Sequence, residues 1–292
     1  MNDPDSHPQR FLFFLIILVF LTFSCPVNVS GQDVSNLTPL DFGWTWSELP
    51  VLPELSANAL AILREGIAAG NNPQAFSKVG DCDTSTDWYL NDFDKDTRYY
   101  DLGDYASELQ PVLDFYKGSF EHHSLAAKPG FSAASVLSTY WTDITQCEPG
   151  ELPLTCEYRI QNPLFVLVSM GTNDGYNPPA FKENLRAIIE QTLAEKRLPI
   201  LMTKADNVEG NFSINQDIAD LALEYDLPLW NFWAAIQHLP NQGLVEDGIH
   251  LTFYQNTFSN PYAFNYAWTY RNLTALQVLD RVMLATKAIL SE

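Results

Sequence analysis

The chain has 292 residues, 46% hydrophobic, 13% aromatic and 18% charged. That is enough apolar material for the core of one or two domains, and it excludes disorder over most of the length. Against 36 Asp and Glu stand 16 Lys and Arg, a formal net charge of -20, a field that repels phosphate backbones and anionic headgroups and so argues against nucleic acid as a partner. The first segment in chain order is an uncharged run from Phe11 to Ser24, about 21 Å long as a helix and short of a bilayer core of about 30 Å. It reads as the apolar region of a signal peptide over residues 1–31. Val29, Ser30 and Gly31 offer the small residues before a cleavage site, although Asp3 and Asp5 beside Arg10 make the leader unusual. The expected location is secreted or extracytoplasmic. The alternative is membrane attachment through an uncleaved leader or a lipid on Cys25, and no other membrane contact is expected.

Residues 32–72 are expected to form an N-terminal extension packing on a domain that spans 73–292. Thr38 to Pro53 lacks periodicity and reads as irregular. Ser56 then serves as an N-cap for a helix over Ala57–Ala69, stopped by Gly70. A short apolar run, Ala75–Val79, ends in Gly80-Asp81, and the longer run Leu164–Met170 ends in Gly171. Continuous hydrophobicity bounded by turn residues suits a buried parallel strand, and chemistry often sits just beyond such strands. Further on come a helix over Ala180–Arg197, a strand over Ile200–Thr203, a helix over Ile214–Tyr225 capped by Ser213, a strand over Leu227–Phe232 and a last helix over Tyr270–Leu290. This alternation predicts βαβ units and a parallel sheet. No internal repeat is visible.

Three cysteines lie beyond the leader. Cys147 and Cys156 bracket a turn-rich stretch with Pro149, Gly150 and Pro153, and an exported chain would staple it with a disulfide. Cys82 is then left as a free thiol, the rival reading being an inert buried thiol or a bond to one of the other two.

Three short motifs follow one another: Gly80-Asp81-Cys82, Gly171-Thr172-Asn173-Asp174 and Asp247-Gly248-Ile249-His250, with Pro129-Gly130-Phe131-Ser132 between the first two. Each alone is weak, because a Gly-x-Asn-Asp turn can simply close a loop. In this order, over about Ser77 to Leu251, they resemble the SGNH/GDSL hydrolase family. The resemblance implies a three-layer α/β/α sandwich with a central parallel sheet, the flavodoxin-like fold of that family, and hydrolysis of ester bonds without a cofactor. His250 would be the general base and Asp247 would fix its tautomer. Asn173, Gly130 and the backbone N–H of Cys82 would line the oxyanion hole.

The departure is at the nucleophile, where Cys82 replaces the family's serine. A thiol at a helix N-terminus beside a histidine is expected to ionise more readily and attack an acyl carbon, forming a thioester. The larger sulfur can equally displace the oxyanion from its donors and leave a fold that binds without turnover. Ser85, one helical turn further on, is a poor substitute. A small-molecule or glycan ester is the expected substrate, a carbohydrate O-acyl ester first among them. The alternative is a catalytically inactive SGNH-fold protein that binds glycan through the aromatic segment Phe253–Tyr270, whose eight rings otherwise pack a long loop. A thiol-dependent acyltransferase is a third reading.

Two further patterns fail as metal sites. Asp92, Asp94 and Asp96 alternate as in a calcium loop, but Thr97 and Gly103 stand where its glycine and glutamate belong. His122-His123 has no partner spacing that implies a metal. Sequons at Asn28, Asn36, Asn211 and Asn272 matter only in a glycosylating host.

Overall fold

A computed structural model of the protein describes residues 45–292. The chain separates into two units, Met1–Thr38 and Pro39–Glu292. The expected leader, with Cys25 and the sequons at Asn28 and Asn36, lies outside the described residues. In chain order the elements are α1 (Ala57–Ala68), β1 (Asn72–Gly80), α2 (Cys82–Ser85), β2 (Tyr100–Asp101), α3 (Ala106–Phe115), α4 (Pro153–Gln161) and β3 (Pro163–Ser169). They continue with α5 (Phe181–Ala194), β4 (Leu198–Met202), α6 (Ser213–Glu224), β5 (Leu229–Trp230), α7 (Phe232–Ile236), β6 (Asn256–Thr257) and α8 (Ala267–Leu290).

The strand order is β1-β3-β4-β5, every pair parallel. β3 is the axis of the sheet because all seven of its residues are buried, which for a parallel strand means cover on both faces. α1 packs on β3 and β4 and against α8, while α5 and α6 pack together and on β4, so the sheet lies between helical layers as expected. Ala127 adds a single parallel bridge at Gly80, beyond the edge strand β1. Among the described residues no helix is long and apolar enough to cross a membrane.

Local signals fix the element ends. Ser56 Oγ accepts the Ala59 N–H and starts α1 as expected. Ser213 does not cap α6: it is the first helical residue, and Phe212, in the left-handed region, precedes it. The strand expected over Leu227–Phe232 shrinks to two residues, because the buried Asn231 side chain accepts the Ala234 N–H and opens α7 instead. Asn272 is buried, with its amide donating to the carbonyl of Trp88 and to Asn256 Oδ1, so its sequon is closed to modification.

Lys78 is a charged residue inside β1. Its ammonium is buried and donates to Phe120 O at 2.9 Å and to Asn91 Oδ1 at 3.2 Å. Burial lowers its pKa to about 8, against the pull of Glu157. Glu157, fully buried on α4, accepts from Ser77 Oγ, from Leu125 N–H and from His122 Nε2. The network ties β1 to α4 and to the loop between α3 and α4. Glu157→Ala is expected to strand these donors and destabilise the protein by about 3–5 kcal/mol, read as a fall in the urea midpoint.

Cys147 and Cys156 form a disulfide, and Cys82 is free. The bond joins a turn to the first turns of α4, where Pro153 sits at the first helical position. Closing so short a loop stabilises by about 2–3 kcal/mol in the chain-entropy picture. A Cys147→Ser, Cys156→Ser double variant is expected to lose that amount in urea unfolding and to become insensitive to dithiothreitol.

Candidate active site

Each motif follows the carboxyl end of a strand or folds back to that end. Gly80 closes β1, and a Cβ there would lie 2.2 Å from Thr84 Oγ1, so only glycine lets α2 start flush against the sheet. Asp81 caps α2 by accepting the Asp83 N–H at 3.2 Å, and Cys82 is the first helical residue, half-buried. Gly171 follows β3 with φ +130°, and a Cβ on it would meet Ile214 Cγ2 at 2.6 Å. The chain can therefore turn sharply into Thr172-Asn173-Asp174.

A small cavity of about 20 Å³ is lined by Asp81 and Asp83, which flank Cys82, by Thr172, which precedes Asn173, and by Ile249, which precedes His250. The three motifs therefore meet at one end of the sheet. The loop of Gly130 joins them through two bonds, Lys128 N–H to Gly80 O at 3.3 Å and Asn173 Nδ2 to Phe131 O at 2.9 Å. Gly130 is an exposed turn residue with φ +82°. Among the described residues neither its N–H nor that of Cys82 donates a hydrogen bond, and Asn173 has spent one of its two amide hydrogens on Phe131.

His250 Nδ1 and Asp247 Oδ2 are 2.7 Å apart. Asp247 Oδ1 accepts the backbone N–H groups of Ile249 at 2.8 Å and of His250 at 3.0 Å. These bonds, with that of the ring first, hold the Asp247 carboxyl down to about 2. The same contact, assisted by the charges of Asp83 and Asp81, raises His250 above its ordinary value. Among the described residues no hydrogen bond joins His250 to Cys82.

The thiol departs from the expectation of easy ionisation. Burial first, then the charges of Asp81 and Asp83, push Cys82 up to about 11, against smaller opposing pulls from the Asp83 backbone N–H and then from Arg271. A helix of one turn supplies too little dipole to offset two adjacent carboxylates. Asp81, buried beside Asp83, is itself raised to about 7. Ser85 Oγ donates to Cys82 O at 3.2 Å and is thus engaged within α2.

Several residues escaped sequence reasoning. Asp174 is buried, accepts the Ala133 N–H at 3.0 Å, and is raised to about 6 by burial. Thr172 Oγ1 donates to Asp206 Oδ2 at 2.8 Å, and Asp206 pairs at 2.6 Å with the buried Lys204. The acidic residue of Gly-Thr-Asn-Asp was the one available signal; nothing marked Lys204. Asp92, Asp94 and Asp96 are each engaged by neighbouring donors: Lys95 and Asn256, the backbone of Gly118 and Glu121, and Arg98. Of the eight rings in Phe253–Tyr270, Trp268 and Phe258 are buried in the core. Phe253, 43% exposed, instead stands beside Trp88, 50% exposed, with ring centroids 4.5 Å apart.

No family model matches the sequence. The chain is similar to the thioesterase 1/protease 1/lysophospholipase L1 of Escherichia coli strain K12, at 32% identity over 95 residues, 30% of this chain and 46% of that protein. It thus spans about half the length of the curated relatives it matches. Among solved structures it is similar to a GDSL-like lipase from Bacteroides thetaiotaomicron, with a TM-score of 0.40 at 15% identity, covering 82% of this chain and 99% of that one. It is also similar to an acetylxylan esterase from Geobacillus stearothermophilus, with a TM-score of 0.42 at 14% identity, covering 72% and 93%.

Proposed function

We propose that the protein is an SGNH/GDSL-type hydrolase acting on ester bonds. In this reading Cys82 is the nucleophile, His250 the general base and Asp247 the group that orients it. The N–H groups of Gly130 and Cys82 and the free amide hydrogen of Asn173 receive the oxyanion. The observation that carries the proposal is the 2.7 Å Asp247–His250 contact at the sheet end where the Cys82 and Asn173 motifs also lie. The E. coli relative's name includes thioesterase and lysophospholipase, and both names denote acyl transfer to water.

A thiol held near 11 is protonated at neutral pH, so it reacts as a serine hydroxyl would rather than as a standing thiolate. As sulfur attacks the acyl carbon, its proton passes to His250 Nε2 and the carbonyl oxygen becomes an oxyanion. Collapse expels the alcohol, which takes that proton, and leaves a thioester on Cys82. Water then attacks the thioester with His250 again as base, releasing the carboxylic acid and restoring the thiol.

A carbohydrate O-acyl ester is the first substrate to test. Trp88 and Phe253 follow the nucleophile and the base closely in the chain and present exposed rings on which a sugar can lie. The acidic field suits a neutral glycan. Export after a leader over residues 1–31 is part of the proposal, with residues 32–72 as an N-terminal extension of a domain over 73–292. The Cys147–Cys156 bond supports an oxidising compartment. The second reading, a glycan-binding protein without turnover, is favoured by the raised thiol pKa and the lack of a Cys82–His250 hydrogen bond among the described residues. The deciding experiment is turnover of a small chromogenic acetate ester by the parent protein beside its Cys82 and His250 variants.

A further inference from the structure

We propose that Arg271 is a positioning residue for the Cys82 centre: its buried guanidinium anchors α2 through Thr84 and opposes the two carboxylates that flank the nucleophile. The inference rests on the reading of Cys82 as the reacting group. Arg271 projects from α8 and is 3% exposed. Its guanidinium carbon lies 4.6 Å from the ring centre of Tyr89, 5.4 Å from Trp268 and 5.6 Å from Phe232. Three aromatic rings exclude water from the group and hold its plane fixed.

Its Nη2 donates to Thr84 Oγ1 at 3.2 Å, and Thr84 is the residue packed flush on Gly80 at the end of β1. The one-turn helix that carries Cys82 is thereby tied to α8 across the chain. Arg271 also lines the cavity shared with Asp81 and Asp83. Among the described residues it makes no ion pair, and its buried Nε has no hydrogen-bond partner. A fully buried cation without a contacting carboxylate is costly, and here it faces two carboxylates across a cavity.

The other charges around the centre are already committed. On the β4 side Lys204 is held by Asp206 at 2.6 Å and by Glu209 at 2.7 Å. In the loop before β6, His250 is held by Asp247. Asp81 and Asp83 belong to the turn between β1 and α2 itself. Arg271 is therefore the buried cation that offsets Asp81 and Asp83, with His250 adding a smaller pull on Asp83, and through them it limits how strongly they oppose ionisation of Cys82. It touches no reacting atom and acts only through these neighbours.

The test is the rate of Cys82 alkylation by iodoacetamide against pH from 7 to 11, read at Cys82 by peptide mass spectrometry in the parent, Arg271→Gln, Arg271→Lys and Thr84→Val. Melting curves establish folding. Arg271→Gln is expected to slow labelling at pH 8 about tenfold, moving the profile up by about one pH unit. Arg271→Lys, which keeps the charge, is expected to follow the parent profile. Thr84→Val, which removes the anchor of α2 but not the charge, is expected to change the labelling rate at every pH without moving the profile along the pH axis. A Thr84→Val protein that labels at the parent rate overturns the anchoring role. An Arg271→Gln profile that superimposes on the parent overturns the proposal. So does an Arg271→Lys profile that moves up by the same amount, and this second comparison decides the matter if Arg271→Gln does not fold. Alkylation needs no turnover, so an Arg271-dependent profile in a protein silent towards esters would overturn the hydrolase reading alone.

Discussion

Cys82→Ala is expected to reduce turnover of a chromogenic acetate ester by about 10⁴-fold or more, while Cys82→Ser keeps His250-dependent turnover within about 100-fold of the parent. Both expectations follow from the charge around the thiol. Burial and the carboxylates of Asp81 and Asp83 push Cys82 up to about 11, so in the proposed reaction the proton leaves in the attacking step and His250 takes it. A hydroxyl presented at the same place needs that same service. The thiolate advantage that sets cysteine hydrolases apart is absent, and serine loses little by replacing it. Alkylation supplies the independent check: iodoacetamide at pH 7.5 is expected to label Cys82 about 100-fold more slowly than a free thiol. Full activity in Cys82→Ala would move the chemistry to another residue. Labelling at the rate of free cysteine would show an activated thiol and sink the serine-like route. A silent parent beside an active Cys82→Ser would favour the binding protein.

The parts of this molecule legible in its sequence are those governed by local rules. Leu164–Met170 reads as a buried strand because a parallel strand between two helical layers has no polar face. Ser56 reads as a cap because the orphan N–H groups of α1 need an acceptor. The spacing of Asp247 and His250 is likewise local, three residues within one turn of loop. What stayed hidden depends on tertiary neighbours. The helix α3 contains Pro111, which blurs its period, and α4 begins at Pro153, which in the sequence looks like part of a turn. Lys78, Glu157 and Arg271 look like solvated charges until the fold encloses them. The thiol of Cys82 followed the same logic: its neighbours in the chain suggested a helix terminus, and the outcome was set by its own burial and then by the charges of Asp81 and Asp83 beside it.

Asp247→Asn is expected to lower kcat/KM for the same ester on the order of 10²- to 10⁴-fold and to move the acid limb of its pH profile downward. The sign follows from the proposed role of His250 as the base. His250 must be neutral to take the thiol proton, and its contact with Asp247 raises it above its ordinary value near 6.5. In the parent, turnover should therefore rise as pH climbs through a value above 6.5. Asparagine removes the charge but not the Oδ1 acceptor that holds the Ile249 and His250 N–H groups at 2.8 and 3.0 Å, so the loop keeps its shape. The imidazolium then loses its main stabilisation and the limb falls. It stays partly raised, because the charges of Asp83 and Asp81 still act on the ring. The ceiling drops as well, since an amide no longer fixes the tautomer that leaves Nε2 free to accept. The side chains of His250 and Asp247 are 56% and 45% exposed, and solvent screening places the loss in the lower part of that range. A profile measured from pH 5 to 9 decides the matter: a limb that does not move, with a rate within about threefold of the parent, would reduce Asp247 to the cap of its own turn.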